Sequence, residues 1–188
     1  MTRFIKLFTA MLLLVPFLSI GQNYQVQKSN SSLIVSGTST LHDWHEEAEA
    51  FSGTIELGDL ENLQISKLSV SIEAESLKSG KSAMDKNTYK ALNTKKYKNI
   101  TFELSEVTNI NKNDAVTYTL DGKGVLTITG VSKTVDVRLV LSKENQGINL
   151  TGSKTIKMSD FGIDPPKALF GTITTGDEVT IKFNMTFN

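Results

Sequence analysis

Apolar and polar residues alternate with a period of two over most of the chain, which predicts β-strands. The C-terminal segment VTIKFNMTFN shows this most clearly. One face of it would carry Val179, Ile181, Phe183, Met185 and Phe187, with polar residues on the other face. The same alternation recurs in 32–37, 67–76, 99–105, 115–122, 124–130, 135–142 and 148–158. GVSK, at 130–133, is predicted to be the hairpin turn between two of these strands.

A single segment has a helical period. In SAMDKNTYKALN, at 82–93, one helix face would combine Met84, Thr88, Ala91 and Leu92. Ser82 would cap this helix, with Asp85 three residues later in a capping-box position.

About eight alternating strands need to protect their edges, and closure into a barrel does this most completely. The sequence therefore predicts an all-β fold, an antiparallel barrel of about eight strands with one short helical insertion. An eight-stranded barrel is either filled by side chains or holds one small ligand.

The first residues do not fit this domain. Arg3 and Lys6 precede an apolar run from Leu7 to Ile20, and small residues stand before Gln22. This pattern is typical of a secretory signal peptide, residues 1–21, followed by one domain over 22–188. We expect the mature protein in the periplasm or outside the cell, with no transmembrane segment of its own.

Charge and composition narrow the range of possible binding partners. Removing residues 1–21 takes away two basic side chains, which leaves 18 basic and 20 acidic ones and a net charge of −2. Such a chain lacks the basic surface that nucleic-acid binding requires. It has no cysteine, so the exported fold would rely on its core and not on disulfides. The sequence leaves a homodimer open.

The segment STLHDWHEEAEAF, at 39–51, holds both histidines and the only tryptophan. On a helix, His42 and His45 could share a metal ion, but its surroundings favour a strand. One face would then carry His42, Trp44, Ala48 and Ala50, interrupted by Glu46, and a polar face would carry Asp43, His45, Glu47 and Glu49. Residues on one face of a strand lie about 6.5–7 Å apart, so we predict no metal site here. A change of apolar parity after Ala50 predicts a bulge near Ser52 and Gly53.

Catalysis finds little support. The chain has no cysteine nucleophile. It has no G-x-S-x-G or H-E-x-x-H motif and no phosphate-binding glycine loop. We predict that the protein is not an enzyme and needs no cofactor. An enzyme acting on an apolar substrate through His42 is the third alternative.

Four segments resemble the YceI-like family of secreted bacterial proteins. They are GTSTLHDWH at 37–45, SLKSGKSAMDKNTYKALNTKKYKNITFEL at 76–104, GKGVLTITGVSKTVDVRLVLS at 122–142 and IKMSDFGIDPPKALFGTITTGDEVTIKFNMTF at 156–187. The resemblance implies a lipocalin-like barrel whose apolar interior binds a lipid, such as an isoprenoid chain. The alternative is a barrel with a filled core that acts as an envelope stress or protein-interaction module without a lipid.

With a lipid carrier as the leading hypothesis, the ligand-binding candidates are the large side chains of the inner faces and of the segments that would close the barrel. The first group is His42, Trp44, Ile72, Phe102, Leu126, Ile128, Phe183 and Met185. The second is Tyr89 on the helix and Phe161 and Phe170 in the loop DFGIDPPKALFG. For each of them the alternative is ordinary core packing.

Overall fold

The computed structural model describes residues 22–59, 64–144 and 147–188, and the predicted signal peptide lies outside the described residues. Twelve strands and one α-helix are present in the described residues. The strands are β1 Gln22–Gln25, β2 Ser32–Ser39, β3 Trp44–Ala48, β4 Phe51–Asp59, β5 Gln64–Glu73, β6 Leu77–Lys78, β7 Asn99–Lys112, β8 Thr117–Ile128, β9 Val131–Glu144, β10 Gly147–Lys157, β11 Lys167–Ala168 and β12 Ile173–Phe187. The helix, α1, is Ser82–Ala91 and lies between β6 and β7.

The strands form one antiparallel sheet that curls into a half-barrel. Its order is β1-β4-β5-β7-β8-β9-β10-β12-β2-β3-β6, and β11 pairs with β12. The segment after β1 joins β4 to the end of β12, because Val26 N donates to Gly53 O at 2.9 Å and Gln27 N donates to Thr186 O at 2.7 Å. The all-β class is confirmed, but the predicted barrel of about eight strands is wrong, because the sheet is a half-barrel and has twelve strands in the described residues. β1, β6 and β11 have four, two and two residues, too few to show an alternating pattern.

The core follows the alternation that the sequence shows. In β8, Tyr118, Leu120, Leu126 and Ile128 are buried. In β12, Val179, Met185 and Phe187 are buried, while Lys182 between them is exposed. The buried residues form two clusters, a larger one that includes Phe187 and a smaller one that includes Phe161. The smaller cluster lies beside α1, since Ala91 and Leu92 pack against it.

The hairpin between β8 and β9 turns earlier than predicted. Its two turn residues are Thr129 and Gly130, both with positive φ, 50° and 76°. Two positive φ values are what a type I′ turn requires, and this turn matches the twist of the flanking strands. The predicted turn at 130–133 is therefore wrong, because Val131 already pairs with Ile128.

The change of parity after Ala50 is not a bulge. Ser52 and Gly53 pair with β5 in unbroken register, and the irregularities of β4 lie between Glu56 and Asp59. The parity changes because β3 ends at Ala48 and the chain crosses to a different part of the sheet before β4 begins.

The predicted helix is confirmed, but its predicted cap is wrong. Ser82 is the first helical residue and Lys81 is the N-cap, with no capping hydrogen bond from its side chain. Asp85 instead accepts hydrogen bonds from the backbone N and the hydroxyl of Ser79, at 2.9 and 2.5 Å. Asp85 thus holds the segment that precedes the helix and does not cap the first helical turn. Within the described ranges, no helix has the length and apolar character needed to span a bilayer.

Candidate functional site

A cavity of about 350 Å³ lies between α1 and the inner face of the sheet. Strands from both halves of the sheet contribute to its wall, which is mostly apolar. Its buried apolar members are Leu33, Ile72, Leu77, Ile128, Ile156, Met158, Ile163 and Val179. Its exposed members, which mark the opening, include Leu41, His42, Lys81, Ala83, Asn87 and Lys167. The volume is at the small end of the range of ~300–1,000 Å³ for small-molecule sites.

The helix forms one wall of this cavity. Its lining residues are Ala83, Met84, Asn87, Thr88, Ala91 and Leu92, adjacent pairs that recur every four positions. These positions share one side of an α-helix. The helix face predicted from the sequence is therefore the face that meets the cavity.

Tyr89 attaches the helix to the sheet. Its hydroxyl lies 2.8 Å from the Glu75 carbonyl oxygen and 3.1 Å from that of Leu77, and it accepts a hydrogen bond from Lys78 Nζ. Just beyond the helix, Thr94 Oγ1 donates to Glu75 Oε1 at 2.7 Å. Tyr89, which was predicted to contact a ligand, thus holds the helical wall of the cavity in position.

Trp44 lies on the inner face at the start of β3. Its ring covers Gly37 on β2, where a Cβ atom would come within 2.5 Å of Trp44 Cζ2, so this position requires glycine. Its Nε1 donates to the Thr38 carbonyl oxygen at 3.0 Å. These contacts hold the half-buried indole in the cavity wall.

His42 does not lie on the inner face, and that part of the prediction is wrong. It belongs to the loop between β2 and β3, and its side chain is exposed at the cavity opening. Its Nδ1 donates to the Asp43 carbonyl oxygen at 2.7 Å. The strand begins only at Trp44, so the alternation that would have placed His42 inside does not extend to it.

Glu46 is the buried acid of the cavity wall. It follows Trp44 on the inward face of β3, and its side chain is 2% exposed. Oε1 accepts a hydrogen bond from Thr88 Oγ1 of the helix at 2.5 Å. Burial raises the pKa of Glu46; the Thr88 hydrogen bond opposes this rise, the charge of Asp85 adds to it, and that of Lys78 reduces it. The interruption of the apolar face by Glu46 was visible in the sequence and marks a residue that was not predicted as part of the site.

The substitution Glu46→Gln should increasingly stabilise the protein relative to wild type as the pH rises. Because burial raises the pKa of Glu46 above its ordinary value of 4.5, the folded wild type binds more protons than the unfolded chain between the two pKa values. The free energy of unfolding of wild type therefore falls, relative to that of the variant, through this interval and then levels off. Urea unfolding of both proteins from about pH 4 to pH 8 measures this difference.

The other shifted carboxyl groups act in the opposite direction but are shared by both proteins. Hydrogen bonds donated to the carboxylates lower the pKa values of Asp85, Asp114, Asp121 and Asp177. Their contribution is lost as the pH falls, and it cancels in the difference. A difference between wild type and Glu46→Gln that does not change with pH would contradict this account of Glu46.

Of the eleven residues predicted to contact a ligand, four line the cavity, namely His42, Trp44, Ile72 and Ile128. Five pack in or against the core clusters, namely Phe102, Leu126, Phe161, Phe183 and Met185. Phe170 is fully exposed in a left-handed backbone conformation, with φ of 55°. Tyr89 anchors the helix. Met84, Ala91, Met158 and Ile163 also line the cavity but were not predicted from the sequence as ligand contacts.

The acidic and histidine side chains of 42–49 do not converge. His45 and Glu47 point outward and are exposed, whereas Glu46 between them is buried. In the part of the chain that the structure describes, no group of three His, Asp or Glu side chains is close enough to hold a metal ion.

Comparison with known proteins gives a consistent result for the fold. A model of the YceI-like domain matches residues 24–187. BcnA of Burkholderia cenocepacia is 22% identical, with a TM-score of 0.69, and the match covers 86% of this chain and 98% of BcnA. A polyisoprenoid binding domain from Saccharophagus degradans is 15% identical, with a TM-score of 0.67, over 88% of this chain and 97% of that domain. The Campylobacter jejuni YCEI protein is 21% identical, with a TM-score of 0.57, over 75% and 82%. No curated protein sequence matches.

Proposed function

The chain belongs to the YceI-like family, and from this premise we propose that it is an exported carrier of an apolar lipid. The lipid would be an isoprenoid-type chain held in the cavity between α1 and the sheet. The observation that carries the proposal is the cavity itself, about 350 Å³ of space with a mostly apolar wall that opens to solvent. The fold shared with a polyisoprenoid binding domain supports the same ligand class.

The energy for such binding comes from burial of the chain. Each CH₂ group removed from water gains about 0.8 kcal/mol, so a few isoprene units suffice to hold a lipid. The cavity is small, and a long isoprenoid would leave part of its chain outside, beside exposed Leu41 at the opening. The function is sequestration, and no bond is made or broken.

The filled-core alternative is an interaction module without a lipid. It accounts for the packed side chains of Phe102, Phe183 and Met185. It gives no role to the space beside α1, and the carrier is therefore the better supported proposal.

Native mass spectrometry of the purified protein, followed by organic extraction, tests this proposal. We expect a population with one lipid mass added per chain, which extraction removes. Delipidated protein should take up added farnesol, an isoprenoid alcohol, with the same stoichiometry. A protein that carries no lipid after purification and takes up none would support the filled-core module.

Export is the second part of the proposal, and it predicts a mature N-terminus at Gln22. The basic residues and apolar run before this position support a signal peptide. N-terminal sequencing and the intact mass of exported protein should show Gln22, or its cyclised form, as the first residue. Exported protein that retains residues 1–21 would contradict the signal-peptide interpretation.

A further inference from the structure

Burial of Glu46 at its position carries a cost in free energy. It alternates inward with Trp44 and Ala48 and pairs with Val35 of β2, so its neighbours on this face are mostly apolar. Burial of a carboxyl group carries a large desolvation penalty unless hydrogen bonds compensate for it. Glu46 is the only carboxyl group buried to this degree among the described residues. A wall that only had to be apolar would carry Leu or Met here.

Glu46 and Thr88 act as one polar group in the cavity wall. The Thr88 hydroxyl donates its proton in a hydrogen bond to Glu46 Oε1, so this proton is not available for a hydrogen bond to a ligand. What the pair then offers to the cavity is mainly the lone pairs of its oxygen atoms. The cationic side chains on the wall, Lys81 and Lys167, are exposed. Lys78, whose charge acts on Glu46, does not line the cavity.

We propose that Glu46, hydrogen-bonded to Thr88, recognises the polar end of the lipid and selects an alcohol over a phosphorylated lipid. This inference rests on the proposed carrier function and names its ligand class. A lipid hydroxyl would donate a hydrogen bond to Glu46, which an ether of the same chain cannot do. A phosphate would bring negative charge next to a buried acid, where charge interactions are poorly screened.

Three matched ligands test the inference with delipidated, refolded protein. They are farnesol, farnesyl methyl ether, which lacks the donor, and farnesyl monophosphate, which adds charge. A hydrogen bond to a charged group corresponds to roughly a tenfold or greater change in affinity. We therefore expect farnesol to bind about tenfold tighter than the ether, and tighter still than the phosphate, in a fluorescence competition assay.

Two variants separate hydrogen bonding from charge. Glu46→Leu combined with Thr88→Val removes both polar partners while keeping their approximate shapes, which a folded core tolerates well. This double variant should bind the ether as wild type does and lose the preference for the alcohol. Glu46→Gln keeps an acceptor oxygen without charge, so it should keep a smaller preference for the alcohol and bind the phosphate better than wild type does. Glu47→Gln, on the outward face of the same strand, is the control and should bind as wild type.

The outcomes distinguish this inference from the carrier function beneath it. Equal binding of farnesol and its ether to wild type, or a preference that survives in the double variant, overturns the role of Glu46 and leaves the carrier intact. Failure of all three ligands to bind folded wild type overturns both. A purely structural Glu46 would change stability in these variants without changing the order of the three affinities.

Discussion

The substitution Ala91→Phe is expected to weaken lipid binding about 200-fold while the protein remains folded. Ala91 lies on α1, is half-buried and lines the cavity. A phenyl ring at this position would occupy space that the lipid chain needs. Each CH₂ group excluded from the cavity loses about 0.8 kcal/mol, so excluding four of them weakens binding about 200-fold. Farnesol titration of delipidated protein measures this effect.

The matched control is Lys86→Phe. Lys86 is exposed on the same helix and does not line the cavity. It adds the same ring to the same helix, so it should leave the affinity for farnesol within about twofold of wild type. Both variants should keep the cooperative thermal transition of wild type. Binding that survives Ala91→Phe in a folded protein would place the ligand somewhere other than this cavity.

The largest expected loss of stability is for Phe161→Ala. Phe161 is 1% exposed and belongs to the smaller core cluster, outside the cavity wall. Its carbonyl oxygen also accepts a hydrogen bond from Thr129 Oγ1 at 2.5 Å, which ties this segment to the β8–β9 turn. Truncation of a buried Phe typically costs ~3–5 kcal/mol. Chemical unfolding of delipidated protein should show a loss of this size.

Trp44→Ala, in contrast to Phe161→Ala, should affect lipid binding more than stability. Trp44 is half-buried and meets the cavity, so part of its contact in the loaded protein would be with lipid. We expect a smaller loss of unfolding free energy than for Phe161→Ala, with a sharp fall in bound lipid. Lys182→Ala, exposed beside Phe183, is the control and should change neither quantity. A delipidated Trp44→Ala protein that fails to fold would favour the filled core.

Period-two alternation predicted much of the fold, because each long strand buries one face and exposes the other. The buried Val179, Met185 and Phe187 and the exposed Lys182 of β12 follow the pattern from the sequence. The helix was also predictable, since its segment has a period near four and no strand alternation. The shortest strands escaped prediction because two residues cannot alternate, and they are defined by backbone pairing with distant segments.

The sequence could not separate cavity from core. Alternation shows that Ile128 and Leu126 both face inward, but it does not show that Ile128 lines the cavity while Leu126 packs in the adjoining core. That distinction depends on where the helix crosses the sheet, and Tyr89 fixes this position through contacts with β6 and the segment before it. His42 shows a second limit of the sequence pattern. The alternation of β3 was extended to His42, two residues before the strand begins at Trp44, and so predicted a buried side chain that is in fact exposed.

The most direct test of the central claim is to locate a bound lipid by NMR. Delipidated protein with ¹³C-labelled methyl groups would be loaded with farnesol, and nuclear Overhauser effects between lipid and protein would be recorded. We expect contacts to the methyl groups of Met84, on the helix, and Ile128, on β8, which both line the cavity, and none to Val140, which is exposed on β9. Contacts confined to exposed side chains, with none to Met84 or Ile128, would contradict a carrier that holds its lipid between the helix and the sheet.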